Sequence, residues 1–179
     1  MSAMKAEVEY RGGVFKCDED TRAHILTAAQ WLVNPESTPG LLLCGLCGNG
    51  KTTLAKAIAW LIGYLTEREE GYSKRLCAAS EKFKEQYDEY GRLFTEPMMI
   101  IDDLGEEPKE VMVYGMIHTP IIDIISERYA AQRMTIITTN LEVDALKEKY
   151  GDRIIDRFRE MLTSIIFTND SYRTRKNSN

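Results

Sequence analysis

Eight consecutive residues, Gly45-Leu46-Cys47-Gly48-Asn49-Gly50-Lys51-Thr52, fit the pattern G-x-x-x-x-G-K-[ST], and the chemistry of that pattern is phosphate binding. Its glycines let successive backbone N–H groups, from Gly45 through Cys47, Gly48, Asn49 and Gly50, turn toward one phosphate. Lys51 reaches the β and γ phosphates, the Thr52 hydroxyl can ligand Mg²⁺, and Thr53 falls beside them. A glycine-rich turn with a chance Lys-Thr is the competing reading, and the context weighs against it. Leu41-Leu42-Leu43-Cys44 before the loop suits a buried strand, and Leu54, Ile58, Leu61, Ile62 and Leu65 after it recur at helical spacing.

A second group follows an apolar run. Met98-Met99-Ile100-Ile101 ends in Asp102-Asp103, two adjacent charges at the end of a buried strand. With a phosphate loop beside them, Asp102 takes the magnesium shell and Asp103 polarises an attacking water. Glu106 and Glu107 precede Pro108 and read as solvated loop charge. A third strand, Ile136-Ile137-Thr138-Thr139, ends at Asn140, whose amide can orient water against a γ-phosphate or simply begin a turn. In the segment from Tyr150 to Arg159, Ile154, Ile155 and Phe158 face a core and leave Arg153 and Arg157 one turn apart. Either arginine can serve as a finger for a neighbouring subunit's γ-phosphate. The same spacing suits pairing with Asp152, Asp156 and Glu160 on a surface helix.

These groups need a scaffold that brings strand ends together. The chain has 179 residues, 44% of them hydrophobic and 28% charged, with a net charge of -5, which is one domain's worth of ordinary globular sequence. The longest apolar stretch, 57–65, falls well short of the ~20 residues that cross a bilayer, and the N-terminus lacks the apolar run of a signal peptide. A cytosolic protein without membrane attachment is expected. The acidic balance argues against coating nucleic acid by charge alone. Cys44 and Cys47 form a lone CxxC with no second pair to complete a zinc site, and their place in the loop makes a redox pair the weaker reading.

Five apolar strands, at 41–44, 75–79, 98–101, 134–138 and 164–168, alternate with helical stretches. The helices are expected from Asp18, after the loop, from Ser80, from Thr119-Pro120, from Val143 and from Asp152. This alternation predicts an α/β fold: a five-stranded, mostly parallel sheet with helices on both faces. The organisation expected is a polar N-terminal segment over 1–17, a core over 18–170 and a basic tail over 171–179.

With these motifs in hand the chain resembles the AAA+ ATPases of the bacterial helicase-loader and transposition-helper group, the DnaC and IstB type. The resemblance runs from about Gly40 to Arg173 and rests on GLCGNGKTT, MMIIDDLG, IITTNL, YGDRIIDRFREM and the closing SYR. It is nearest to short loader-like ATPases of mobile elements and phages, which share the pattern of Tyr114-Gly115, Thr119-Pro120 and Glu127-Arg128-Tyr129. The resemblance implies ATP and Mg²⁺ as cofactors, Asn140 as the first sensor, and Arg157, ahead of Arg153, as a finger acting in trans within a homo-oligomer. It also implies that Arg173 acts in cis on the phosphates. The implied partners are a replicative helicase or a transposase, with a weak contact to single-stranded DNA.

Three departures from the longer loaders are expected: no preceding partner-binding domain, only 80–96 between the second and third strands, and no helical lid after the fifth strand. Two other functions compete with an ATPase assisting replication or mobilisation of DNA. One is a nucleotide or small-molecule kinase, which would need an acceptor site and an arginine-rich closing loop; the other is a non-hydrolysing, ATP-dependent interaction module.

Overall fold

The computed structural model describes residues 1–66, 75–77, 94–113 and 115–172, with the backbone alone at 75–77 and 113. The helix expected from Ser80, Arg173 and the tail beyond it lie outside the described residues. In chain order the elements are α1 (Ser2–Tyr10), α2 (Glu19–Val33), β1 (Gly40–Gly45), α3 (Lys51–Leu65), β2 (Arg75–Cys77) and β3 (Met98–Leu104). Then come β4 (Val111–Val113), β5 (Met116–His118), α4 (Pro120–Ala130), β6 (Met134–Thr139), α5 (Val143–Tyr150), α6 (Asp152–Met161) and β7 (Leu162–Phe167).

Five strands form one sheet in the order β2-β3-β6-β1-β7, and every pairing in it is parallel. Strand β1 lies between the central strand β6, which sets Gly40 against Thr135, and the edge strand β7, which sets Gly40 against Leu162. Alternation along the strands builds two apolar layers. Leu42, Met99, Ile101 and Ile137 pack under α4 and α6 with Ile124, Ile125, Ile154 and Phe158. Leu41, Leu43, Ile100 and Ile136 pack on the other face with Trp31 of α2 and Leu54 and Ile58 of α3. The sheet therefore has helices on both faces, and all its C-terminal strand ends open on one edge, where a parallel α/β sheet binds its ligands.

Two elements were not visible in the sequence pattern. The first residues, read as a polar segment, form α1, because Met4 buries itself against the α2 and α3 layer, with Ala3 packed beside it. The second is the antiparallel hairpin β4–β5, in which Val111 pairs with His118. It is too short to show a period, and it exposes Met112, Met116 and Ile117. Among the described residues no helix is long and apolar enough to cross a membrane.

Arg128, the middle residue of Glu127-Arg128-Tyr129, is fully buried. Its Nε donates to Thr135 Oγ1 at 2.9 Å and its terminal nitrogens donate to the Glu96 carbonyl at 2.9 Å and the Met134 carbonyl at 2.5 Å. Burial, with Arg133 nearby, pushes its guanidinium down to about 10, still charged at neutral pH. The side chain thus fastens α4 to the starts of β3 and β6. Replacing Arg128 by Met removes its hydrogen bonds to Thr135 Oγ1 and to the Glu96 and Met134 carbonyls, and is expected to cost about 2–4 kcal/mol in urea denaturation. A change within about 0.5 kcal/mol, the range of an ordinary surface substitution, would contradict this role.

Candidate phosphate-binding site

The loop between β1 and α3 is folded tightly against β7. Gly45 has φ +142, and a Cβ there would stand 2.3 Å from the Phe167 carbonyl oxygen, so no other residue fits. The buried Asn49 side chain donates to that same carbonyl at 3.2 Å, while Asn169 Nδ2 donates to the Asn49 carbonyl at 3.3 Å. Asn49 therefore secures the loop from within, and what it offers a phosphate is its backbone. Lys51 opens α3, and its Nζ donates to the carbonyls of Gly45 and Leu46 at 2.6 and 2.7 Å and to Asn49 Oδ1 at 3.1 Å. Burial lowers the Lys51 pKa from its ordinary value, and the nearby Asp103 carboxylate opposes that shift.

At the base of the loop three elements converge on one carboxylate. Asp102 of β3 is buried, and its Oδ1 accepts from Thr52 Oγ1 of α3 at 2.7 Å and from Thr138 Oγ1 of β6 at 2.8 Å. The Thr138 hydroxyl in turn accepts the Asp103 N–H at 2.8 Å. At Asp103 the backbone turns left-handed, φ 56, and the β3–β6 register shifts between Ile101 and Leu104. This bulge sends two successive carboxylates to different places: Asp102 goes to the buried network and Asp103 lines the cavity.

The cavity has a volume of about 950 Å³. One half is walled by Cys47, Gly48, Asn49, Gly50, Lys51, Thr52 and Thr53, with Asp103, Glu106 and the half-buried Asn140 opposite. The other half is walled by α1 and the segment after it, including Met4, Val8 and Phe15, and by Tyr172. Tyr172 is held across the loop: its N–H donates to the Gly48 carbonyl at 2.9 Å, and its hydroxyl meets Thr21 Oγ1 at 2.7 Å and Asp18 Oδ1 at 3.2 Å. Asp18 also caps α2, accepting the Thr21 N–H at 2.8 Å.

No family model matches the sequence, and none of the curated proteins compared with it does. Solved structures do match. The crystal structure of the DnaC helicase loader is 25% identical with a TM-score of 0.64, over 86% of this chain and 93% of that one. DnaI is 20% identical with a TM-score of 0.65, over 93% of each chain. The replication initiator DnaA, bound to AMPPCP and single-stranded DNA, is 16% identical with a TM-score of 0.58, over 87% of this chain and 49% of that one. The chain has a DnaC-like AAA+ fold. In this DnaC-like arrangement residues 47–53, Asp103 and Asn140 line one cavity, and Asp102 lies in the buried network at the base of the loop.

The arginines lie elsewhere. Arg157 belongs to α6 and donates to Ser126 Oγ of α4, with its guanidinium 5.4 Å from the centre of the Tyr129 ring, and Arg153 is exposed near the start of α6. Neither lines the cavity of its own chain. The acidic residues expected to pair with these two arginines meet other groups: Asp156 pairs with Arg159 at 2.9 Å, Asp152 with Lys147 at 2.8 Å, and Glu160 accepts from the Tyr129 hydroxyl. Glu106 is solvated as expected, but Glu107 is not: it is 6% exposed, drawn inward by hydrogen bonds to Gly105 and Tyr150. Sequence reasoning also missed Thr138, Tyr172, Asp18 and Thr21. Thr138 had a signal, a hydroxyl directly after Ile136-Ile137 at the polar end of its strand. The others are joined across about 150 residues and had none.

A non-glycine residue at φ 56 carries backbone strain of about 1 kcal/mol, and glycine removes it. Asp103→Gly is therefore expected to leave stability unchanged or raise it by up to about 1 kcal/mol, whereas the β-branched Asp103→Val lowers it by about 1–3 kcal/mol. Equal destabilisation by both in chemical denaturation would show that the turn does not set the cost.

Proposed function

We propose that this chain is an ATP-binding, ATP-hydrolysing AAA+ protein of the DnaC type that assists DNA replication or the mobilisation of a mobile element. The observation that carries the reading is the convergence of Thr52, Asp102 and Thr138 at the base of the loop, next to a cavity lined by Lys51, Thr52, Asp103 and Asn140. The phosphates lie along the loop backbone from Gly45 to Gly50, with Lys51 leaving the Gly45 and Leu46 carbonyls to reach them. The half walled by α1, Phe15 and Tyr172 has the apolar and aromatic surface that a base and ribose require.

Mg²⁺ fits the residues present. A hydroxyl and a carboxylate 2.7 Å apart form an all-oxygen pair beside the loop. The described residues hold no cluster of three or more His, Cys, Asp or Glu. That suits an ion completed by water and phosphate oxygens rather than by a protein cage. Thr52 and Asp102 would hold it, and when bound it neutralises charge on the β and γ phosphates. Thr138 holds Asp102 in place by its hydrogen bond; Asp103 polarises the water; Asn140 orients that water against the γ-phosphate. The arginine that completes the site comes from a second copy, because Arg153 and Arg157 stand outside their own chain's cavity. The partner proposed is a replicative helicase or a transposase, together with single-stranded DNA; the likeness to the DnaC helicase loader favours the helicase.

Calorimetry with MgATP tests the site. Lys51→Ala is expected to weaken binding at least about tenfold, the loss of 1.4 kcal/mol or more; equal affinity in both proteins removes the assignment. For the shared site, Arg157→Ala and Lys51→Ala chains, each inactive, are expected to regain turnover when mixed. Mixed protein as inactive as either alone at saturating concentration argues against a finger in trans.

A further inference from the structure

The loop that leaves the acidic pair is short and ends in a buried knot of polar groups. Glu106 N–H closes a turn onto the Asp103 carbonyl at 3.2 Å, and Glu107 follows at once. Glu107 Oε2 accepts the Gly105 N–H at 2.9 Å, its Oε1 accepts the Tyr150 hydroxyl, and Lys149 Nζ lies 3.6 Å from that same Oε1. Lys149 also donates to the carbonyls of Gly105 and Glu107. Burial and the bond to Glu107 raise the Tyr150 pKa, so its proton stays in place to donate.

Lys149 and Tyr150 are the last residues of α5. Gly151, at φ +86 with open space around its Cβ position, is at once the residue after α5 and the N-cap of α6, and it supplies no side-chain cap. The helix that carries Arg153 and Arg157 therefore begins one residue beyond the knot. At its other end the knot lies four residues from Asp103, whose carboxylate lines the cavity. Solvated loop charge would need none of these bonds. A buried carboxylate in a two-strand-to-helix junction is costly and leaves this loop a single well-defined position relative to α5.

We propose that Glu107, Lys149 and Tyr150 form a clamp that transmits occupancy of the nucleotide cavity to the arginine helix α6, making Glu107 and Tyr150 positioning residues for the arginine supplied to a neighbouring copy. The inference rests on the nucleotide-binding reading and adds to it a route: Asp103 to Glu107 along the chain, Glu107 to Tyr150 by hydrogen bond, and Tyr150 to Arg153 across Gly151.

Hydrogen–deuterium exchange with and without AMPPCP and Mg²⁺ tests the route and its premise separately, by comparing residues 45–53 with residues 151–157 in one experiment. Glu107→Gln sets an amide NH₂ or an uncharged oxygen where Gly105 N–H, Tyr150 and Lys149 need a carboxylate, and Tyr150→Phe removes one hydroxyl; both conserve shape, and a cooperative melt checks the fold. In the unsubstituted protein the nucleotide is expected to change exchange by about threefold or more in both segments. In each variant the loop response is expected to persist while the 151–157 response falls to less than about half. A 151–157 response equal in all three proteins, or absent from the unsubstituted one while 45–53 responds, overturns the clamp and leaves nucleotide binding standing. No response at 45–53 in the unsubstituted protein overturns both.

Discussion

The site is organised around one carboxylate taken out of water. Burying Asp102 is unfavourable unless its charge meets donors, and the donors that meet it come from two other elements, Thr52 of α3 and Thr138 of β6. The strand order makes that possible. With β6 between β3 and β1, the end of the acidic strand lies beside Thr138 and within reach of the helix that follows β1. Thr138 spends its single proton on Asp102 and uses its lone pair to take the Asp103 N–H, so one hydroxyl both charges the first aspartate's surroundings and fixes the turn that frees the second. The site is thereby a property of the sheet's order rather than of any single loop.

What could be read from the sequence was whatever repeats locally. Leu41 to Leu43 and Ile136-Ile137 announce strands because both faces of this sheet are covered, and Leu54, Ile58 and Ile62 announce a helix with one buried stripe. The phosphate loop and acidic pair carry their chemistry in consecutive residues, so their meeting place followed once the strands were placed. Glu107 was misread because its neighbours in sequence, Glu106 and Pro108, are exposed; its burial is decided by Tyr150, more than forty residues away. Helix α1 was missed because its helical stripe is narrow: Met4 is its only buried residue, with Ala3 partly buried beside it.

The cavity's outer half was illegible for the same reason. Tyr172 reaches Asp18 and Thr21, so the segment before α2 and the segment after β7 close over one loop from opposite ends of the chain. Asn169 and Asn49 add a second tie just inside it. The phosphate half is thus specified by motif and the outer half by assembly of distant segments, and the two halves can vary independently in sequence.

The strand order also dictates a timetable. β1 emerges before both of its partners in the sheet, β6 and β7, with β2 to β5 made in between. Until then Leu41, Leu42 and Leu43 have no neighbours, and Gly45 lacks the Phe167 carbonyl against which its loop is shaped. Pairings of such long sequence separation form late and slowly, and an unpaired apolar strand is prone to stray association meanwhile. On the proposed reading, a nucleotide would stabilise the finished protein but would not find a shaped loop on the growing chain.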